Sequence, residues 1–159
     1  MFDGTPVGNS GYIRAMNAAA IFHLIDQYGP ISRKDLASNT RYSAATITNH
    51  VKALLDAGFV WEISKGDSTG GRKPVHVAVN PYKAYILAVE LEVHRVRLVL
   101  LDLSRQLVGH STVPLQVGQG PTQVLPRTIT ACNDLLADHQ LPAKKLLGIG
   151  VAAPGQVTT

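Results

Sequence analysis

Residues 43–63, SAATITNHVKALLDAGFVWEI, contain a helix with its start and stop, followed by a strand. Ser43 is a natural N-cap, because its hydroxyl can accept from a first-turn amide that has no helical partner. Ile47, Val51, Leu54 and Leu55 then recur at three- and four-residue spacing and make one apolar stripe. Gly58 supplies a left-handed residue to end the helix. With about 100° per residue, the stripe leaves Ala45, Thr46, Asn49, Lys52 and Asp56 on the outer side and Thr48 on its flank. Most of the outward residues are short and uncharged, and no acid appears before Asp56. Such a face suits close approach to a polyanion. Phe59–Ile63 alternates apolar and mixed positions and reads as a strand.

Upstream, the spacing of Met16, Ala20, Ile21, Leu24 and Ile25 predicts a helix over about Ile13 to Gln27, stopped by Gly29-Pro30. A short helix follows Ser32, where Ser32 and Asp35 form a reciprocal capping pattern. Downstream, Pro74–Val79 alternates, with Val75, Val77 and Val79 on one face. Between the two strands lies KGDSTGGRKP, residues 65–74, a Gly-rich polar loop ending in adjacent bases. Three helices and a hairpin in this order make an α+β winged helix-turn-helix, assigned to residues 12–80. Trp61 is expected to anchor the wing against the third helix. Tyr28, Tyr42 and His50 are expected to be packing residues.

The grammar changes at Asn80-Pro81, since Pro81 biases Asn80 away from helix. Residues 81–159 read as three strands (Tyr85–Leu91, Arg95–Leu101, Gln106–Val113), a helix over about Thr122–Asp138 and a last strand, Leu146–Val151. The apolar positions of that helix are Val124, Leu125, Ile129, Cys132, Leu135 and Leu136. Pro126 fits only if the helix begins close to it. The all-apolar last strand is of the kind buried in a parallel sheet with both faces covered. A parallel strand followed only by its exit loop is an unfinished α/β unit, so the second segment is expected to be an incomplete domain in a truncated chain.

Composition limits the chemistry. The 159 residues carry 15 Lys and Arg against 11 Asp and Glu, a formal charge of +4 that fits ordinary solubility as well as an acidic partner. Residues 31–80 hold seven of the bases and four of the acids, which places +3 of the charge there. Apolar runs stop well short of the roughly 18 residues of a membrane span. The single cysteine, Cys132, precludes an internal disulfide and reads as a small hydrophobe. The expected location is the cytoplasm. The histidines show no close ligand spacing, so no metal site is expected, and no Gly-rich phosphate loop points to a nucleotide cofactor. Glu90, Glu92 and Asp102 are the one candidate carboxylate cluster, and no catalytic residue is assigned.

DNA fits better. Thr and Asn on the third helix suit base edges, Lys52 suits phosphate, and Arg72-Lys73 forms a charged wing tip for the minor groove. The helix starts at Ser32 and Ser43 can offer free amides to phosphates, with Arg33, Lys34 and Arg41 nearby. The alternative is an ordinary solvated face on Thr46, Thr48 and Asn49, and an exposed turn at Arg72-Lys73.

The stretch NAAAIFHLIDQYGPISRKDLASNTRYSAATITNHVKALLDAGFVWE (17–62), the STGGRKP loop (68–74) and the Asn80-Pro81 junction resemble the N-terminal half of ROK-family transcriptional repressors. These are sugar-responsive regulators related to bacterial glucokinases. The similarity continues through YILAVELEVHRVRLVLLDLSRQLV (85–108) and GIGVAAPGQV (148–157). It implies a winged helix followed by the first part, residues 81–159, of an α/β ribonuclease-H-like, actin-like domain. It implies DNA contacts from Ser32, Arg33, Ser43, Ala45, Thr46, Thr48, Asn49 and Lys52, with Gly71, Arg72 and Lys73 on the wing. It further implies a homodimer on a palindromic double-stranded operator. A sugar or sugar-phosphate effector would act only in a complete chain.

Two departures stand out. Kinase members carry Asp-x-Gly-Gly-Thr after the first strand of the second domain, where this chain has Glu90-Leu-Glu-Val93. Arg41 stands where many relatives have a turn glycine, which implies a strained or altered turn. Two rivals to a repressor remain open at this point: an inactive sugar-kinase fragment, and a winged-helix interaction module that does not touch DNA.

Overall fold

The computed structural model describes residues 10–64 and 75–154, and the chain divides into two units between Asn80 and Pro81. In the first unit α1 (Ser10–Tyr28), β1 (Ile31–Ser32), α2 (Arg33–Ser38), α3 (Ala44–Asp56), β2 (Val60–Ser64) and β3 (Val75–Val79) follow in order. The strands form an antiparallel sheet in the order β1-β3-β2. The two-residue β1, which the sequence pattern does not reveal, adds a third strand to the expected hairpin by pairing Ile31 with Val77.

One apolar cluster holds this unit: Ile21 and Ile25 from α1, Leu36 from α2, Ile47, Val51 and Leu54 from α3, and Ile31, Val60 and Val77 from the strands. Phe22 meets Phe59 edge to face at 6.1 Å. The α1 stripe is narrower than its spacing predicts. Its first two turns lie outside the core, so that Tyr12, Ile13 and Met16 are each more than half exposed. At the end of α1, the Gly29 amide donates to the Ile25 carbonyl at 2.8 Å. A Cβ at Gly29 would collide with that same carbonyl, which explains the glycine. Gly58 ends α3 at φ 76°, the left-handed value expected of it.

Two aromatic expectations fail. Val60 and Trp61 point to opposite sides of β2, and the core takes Val60, leaving Trp61 39% exposed. Tyr28, at the end of α1, is 59% exposed rather than packed. Tyr42 does pack against the cluster, and its hydroxyl donates to Asn17 Oδ1 at 3.2 Å.

The second unit contains β4 (Tyr85–Leu91), β5 (Arg95–Asp102), β6 (Leu107–Pro114), α4 (Pro121–Asp138) and β7 (Leu146–Ala152), with sheet order β6-β5-β4-β7. Strands β4 to β6 are an antiparallel meander, and α4 then carries the chain over to β7, parallel to β4. Leu87, Val89, Val96, Leu98 and Leu100 pack with Leu135 and Leu136 of α4, and Cys132 lies beside them. The β5–β6 turn is built by Asp102, whose Oδ1 accepts from the Ser104 and Gln106 amides at 2.8 and 3.0 Å. His139 Nδ1 lies 2.9 Å from the Leu135 carbonyl, and its ring fills the space a Cβ on Gly109 would need.

Three expectations are corrected here. Helix α4 packs on β5 and β6, so β7 is not covered on both faces: Ile149 and Val151, in register with Leu87 and Val89, are 58% and 65% exposed. Leu125 and Ile129 of α4 are likewise exposed. Pro126 stands inside α4, beyond its first turn. It forgoes the bond to the Thr122 carbonyl on an exposed side of the helix, where water can replace it.

Ile47 is fully buried, so Ile47→Ala is expected to lower unfolding free energy by about 2–5 kcal/mol in a urea titration. Burial pushes the Cys132 thiol above its ordinary pKa. The unfolded chain therefore releases that proton first, and stability falls as pH rises past the ordinary thiol range. Alkylation of the folded protein should show a higher pH midpoint than alkylation of the same chain in urea.

Candidate nucleic-acid interface

Helix α3 presents two kinds of polar side chain. The first kind builds the helix. Ser43 Oγ accepts the Thr46 amide at 3.1 Å and lies 2.9 Å from the Thr46 hydroxyl. Thr48 donates its hydroxyl proton to the Ala44 carbonyl at 2.8 Å. On α2, Ser32 Oγ accepts the Asp35 amide at 3.1 Å and donates to Asp35 Oδ2 at 2.7 Å, the reciprocal cap expected from the sequence. The hydroxyls of Ser32, Ser43, Thr46 and Thr48 are thus each engaged within the protein.

The second kind is free. Asn49 and Lys52 are exposed and make no side-chain hydrogen bond or ion pair with the described residues. Ala45 is exposed beside them. With Ile47, Val51 and Leu54 directed inward, helical geometry places Ala45, Asn49 and Lys52 on the opposite side. Their outward direction is set by the burial of the other face, so the stripe has little freedom to turn.

Charges near the helix starts divide similarly. Arg33 is half-buried and donates to Glu62 of β2 at 2.7 Å. Lys34 carries no such tie among the described residues, and with Arg33 it lines a hollow between α2 and α3 that Ala44 and Thr48 close. Sequence reasoning noted Lys34 but did not include it among the DNA contacts. Arg41 does not adopt the left-handed conformation expected of a glycine position; the described non-glycine residues with positive φ are Arg105 and Gln140. Gly71, Arg72 and Lys73 lie outside the described residues.

In the second unit the charged side chains of β4 and β5 pair with one another. Glu90 faces Arg97 across the β4–β5 pair, and Arg97 donates to Glu90 Oε2 at 2.6 and 3.0 Å. Glu92 sits within 2.9 Å of both Arg95 and Arg97. Hydrogen bonding to Glu90, reinforced by the charges of Glu90 and Glu92, raises the Arg97 pKa further above its already high ordinary value. Asp102 lies at the far end of β5, opposite Tyr85, so the three acids do not form one cluster. Among the described residues no set of three His, Cys, Asp or Glu side chains could hold a metal ion. None of the described helices is long and apolar enough to cross a membrane.

A helix-turn-helix backed by a small antiparallel sheet makes the first unit a winged helix, and the second unit is a mixed sheet with one crossover helix. A model of the MarR family matches residues 16–61. The DNA-binding transcriptional dual regulator NagC of Escherichia coli K12 is 30% identical over 152 residues, and the transcriptional repressor Mlc of the same organism is 31% identical over 153. The xylose repressor of Bacillus subtilis is 24% identical over 151 residues. These matches cover about 95% of this chain, which spans only 37–39% of the relatives' lengths. A solved ROK family transcriptional regulator, a homologue of E. coli Mlc, superposes with a TM-score of 0.69 at 26% identity, over 91% of this chain and 37% of that one. On sequence and fold together, the chain is similar to the N-terminal part of ROK-family transcriptional regulators.

Ser43 supports the first turn of α3 directly. Ser43→Ala is expected to cost about 0.5–2 kcal/mol in a thermal or urea melt, and Ser43→Asp to retain most of the stability.

Proposed function

We propose that this chain binds double-stranded DNA of defined sequence through the outward stripe of α3 and represses sugar-related genes by occupying their operator. The observation that carries the reading is the unpartnered Asn49 and Lys52 on a helix whose other face is buried. A helix of about 10–12 Å diameter fits the major groove. There Asn49 can make paired hydrogen bonds to an adenine edge, while Ala45 suits a thymine methyl group. Lys52 supplies sequence-independent phosphate affinity.

Thr46 and Thr48 contribute less than their position in the sequence suggests, because their hydroxyl groups already have partners nearby. Ser32 and Ser43 approach the backbone as caps at helix starts, where neighbouring amides face outward. Arg72 and Lys73, with Gly71 beside them, supply the minor-groove contact that their sequence suits. One domain of this size reads few base pairs, so a homodimer on a palindromic site supplies useful specificity. DNA binding takes place in the cytoplasm, and a sugar or sugar phosphate acts through the sugar-kinase-like domain of a full-length protein.

Regulation is favoured over catalysis by one specific feature. Where kinase relatives have a glycine-containing phosphate loop, β4 runs into Glu90-Leu-Glu-Val93, and its carboxylates are tied to Arg95 and Arg97. This strand end has no glycine to let backbone amides close on a nucleotide phosphate, and its two carboxylates are already paired with two guanidiniums.

Selection from a random double-stranded DNA pool tests the proposal. The intact chain should enrich a palindrome, Asn49→Ala should relax preference at one base position of each half-site, and Lys52→Ala should weaken all sequences alike. Each base-edge loss is expected to be about 1–3 kcal/mol. A folded intact chain that enriches no sequence at low salt would contradict the reading.

A further inference from the structure

We infer that Arg14, on the first helix, is a phosphate contact on the side of α3 opposite α2, so that the reading helix is held by cations on both of its flanks. This rests on the DNA reading above and adds a contact that the helix-turn-helix pattern does not contain.

The argument starts from the cross-section of α3. With Ile47, Val51 and Leu54 inward, Ala44 and Thr48 fall on one flank and Thr46, His50 and Ala53 on the other. The two hollows beside the helix follow this division. Ala44 and Thr48 share theirs with Arg33 and Lys34 of α2. Thr46, Asn49, His50 and Ala53 share theirs with Ile13, Arg14 and Asn17 of α1. Within the second hollow Asn17 accepts the Tyr42 hydroxyl proton, which ties α1 to the turn before α3. Arg14 is exposed, and it has no hydrogen bond or ion pair with the described residues.

The major groove is about 12 Å wide and is bordered by a phosphate strand on each side. A helix inserted with Asn49 toward the bases therefore brings both flanks toward phosphates. The α2 flank meets one strand with Lys34; the α1 flank meets the other with Arg14. Among the described residues no acidic side chain lines the Arg14 hollow, so none of them opposes an anion there. A guanidinium suits this role, because its planar fork can grip two phosphate oxygens at once.

The test uses the full chain and a mixed-sequence 24-base-pair duplex, with affinity measured from 50 to 200 mM salt. Removing one phosphate contact lowers the slope of log affinity against log salt by about 0.9. Over that fourfold range the intact chain should lose about 3.5-fold more affinity than Arg14→Ala, which is that slope change expressed as a ratio. Arg14→Lys should restore the slope. Lys144→Ala, at an exposed cation in the second unit, should leave it unchanged. If Arg14→Ala keeps the intact slope while the intact chain binds, this inference fails and the DNA reading stands. If Lys144→Ala lowers the slope equally, the effect belongs to net charge and the inference also fails. An intact, folded chain that binds no duplex at 50 mM salt overturns both.

Discussion

Burial of Ile47, Val51 and Leu54 against Ile21, Ile25 and Val77 is the constraint on which the first unit depends. It holds α3 on α1 and on the sheet, and it fixes the rotation of α3 about its own axis. Asn49 and Lys52 face outward because three apolar side chains face inward. Each fully buried aliphatic side chain contributes about 1.5–3 kcal/mol relative to exposure, more than the usual value of a solvent-exposed ion pair such as those around Arg97. Packing therefore decides the geometry of the polar face, and hydrogen bonds refine it. The caps at Ser32 and Ser43 set where α2 and α3 start, and thus the turn between them.

Much of this was legible in the sequence because α3 is locally consistent: cap, stripe and left-handed glycine all agree on one helix. The capping pair Ser32 and Asp35 was equally plain. What escaped was non-local. Strand β1 is two residues long and exists through its pairing with β3, which no periodicity can signal. Trp61 looked like an anchor because it is large and apolar, but the pleat gave the inward position to Val60. Arg33 looked like a free cation until the fold brought Glu62, far along the chain, within 2.7 Å. The hollow containing Arg14 depends on how α1 crosses α3, and the sequence gives no measure of that crossing.

The second unit shows a different balance. Its meander and crossover follow from alternating and all-apolar runs, but covering of a sheet face is a tertiary fact. Helix α4 shields β5 and β6, while the apolar residues of β7 stay exposed. The Glu90–Arg97–Glu92 network stands at the end of β4. That strand end holds no glycine and pairs its two carboxylates with two guanidiniums, while the outward Asn49 and Lys52 belong to α3 of the first unit.

The central claim is that the side of α3 opposite its buried stripe meets DNA. Backbone amide shifts of the isotope-labelled chain, followed by NMR during titration with its selected duplex, test this most directly. The account predicts that the largest changes fall on Ala45, Asn49 and Lys52 and at the starts of α2 and α3, with the sheet of the second unit little affected. Changes centred instead on β4 and β7, with α3 undisturbed, would contradict it.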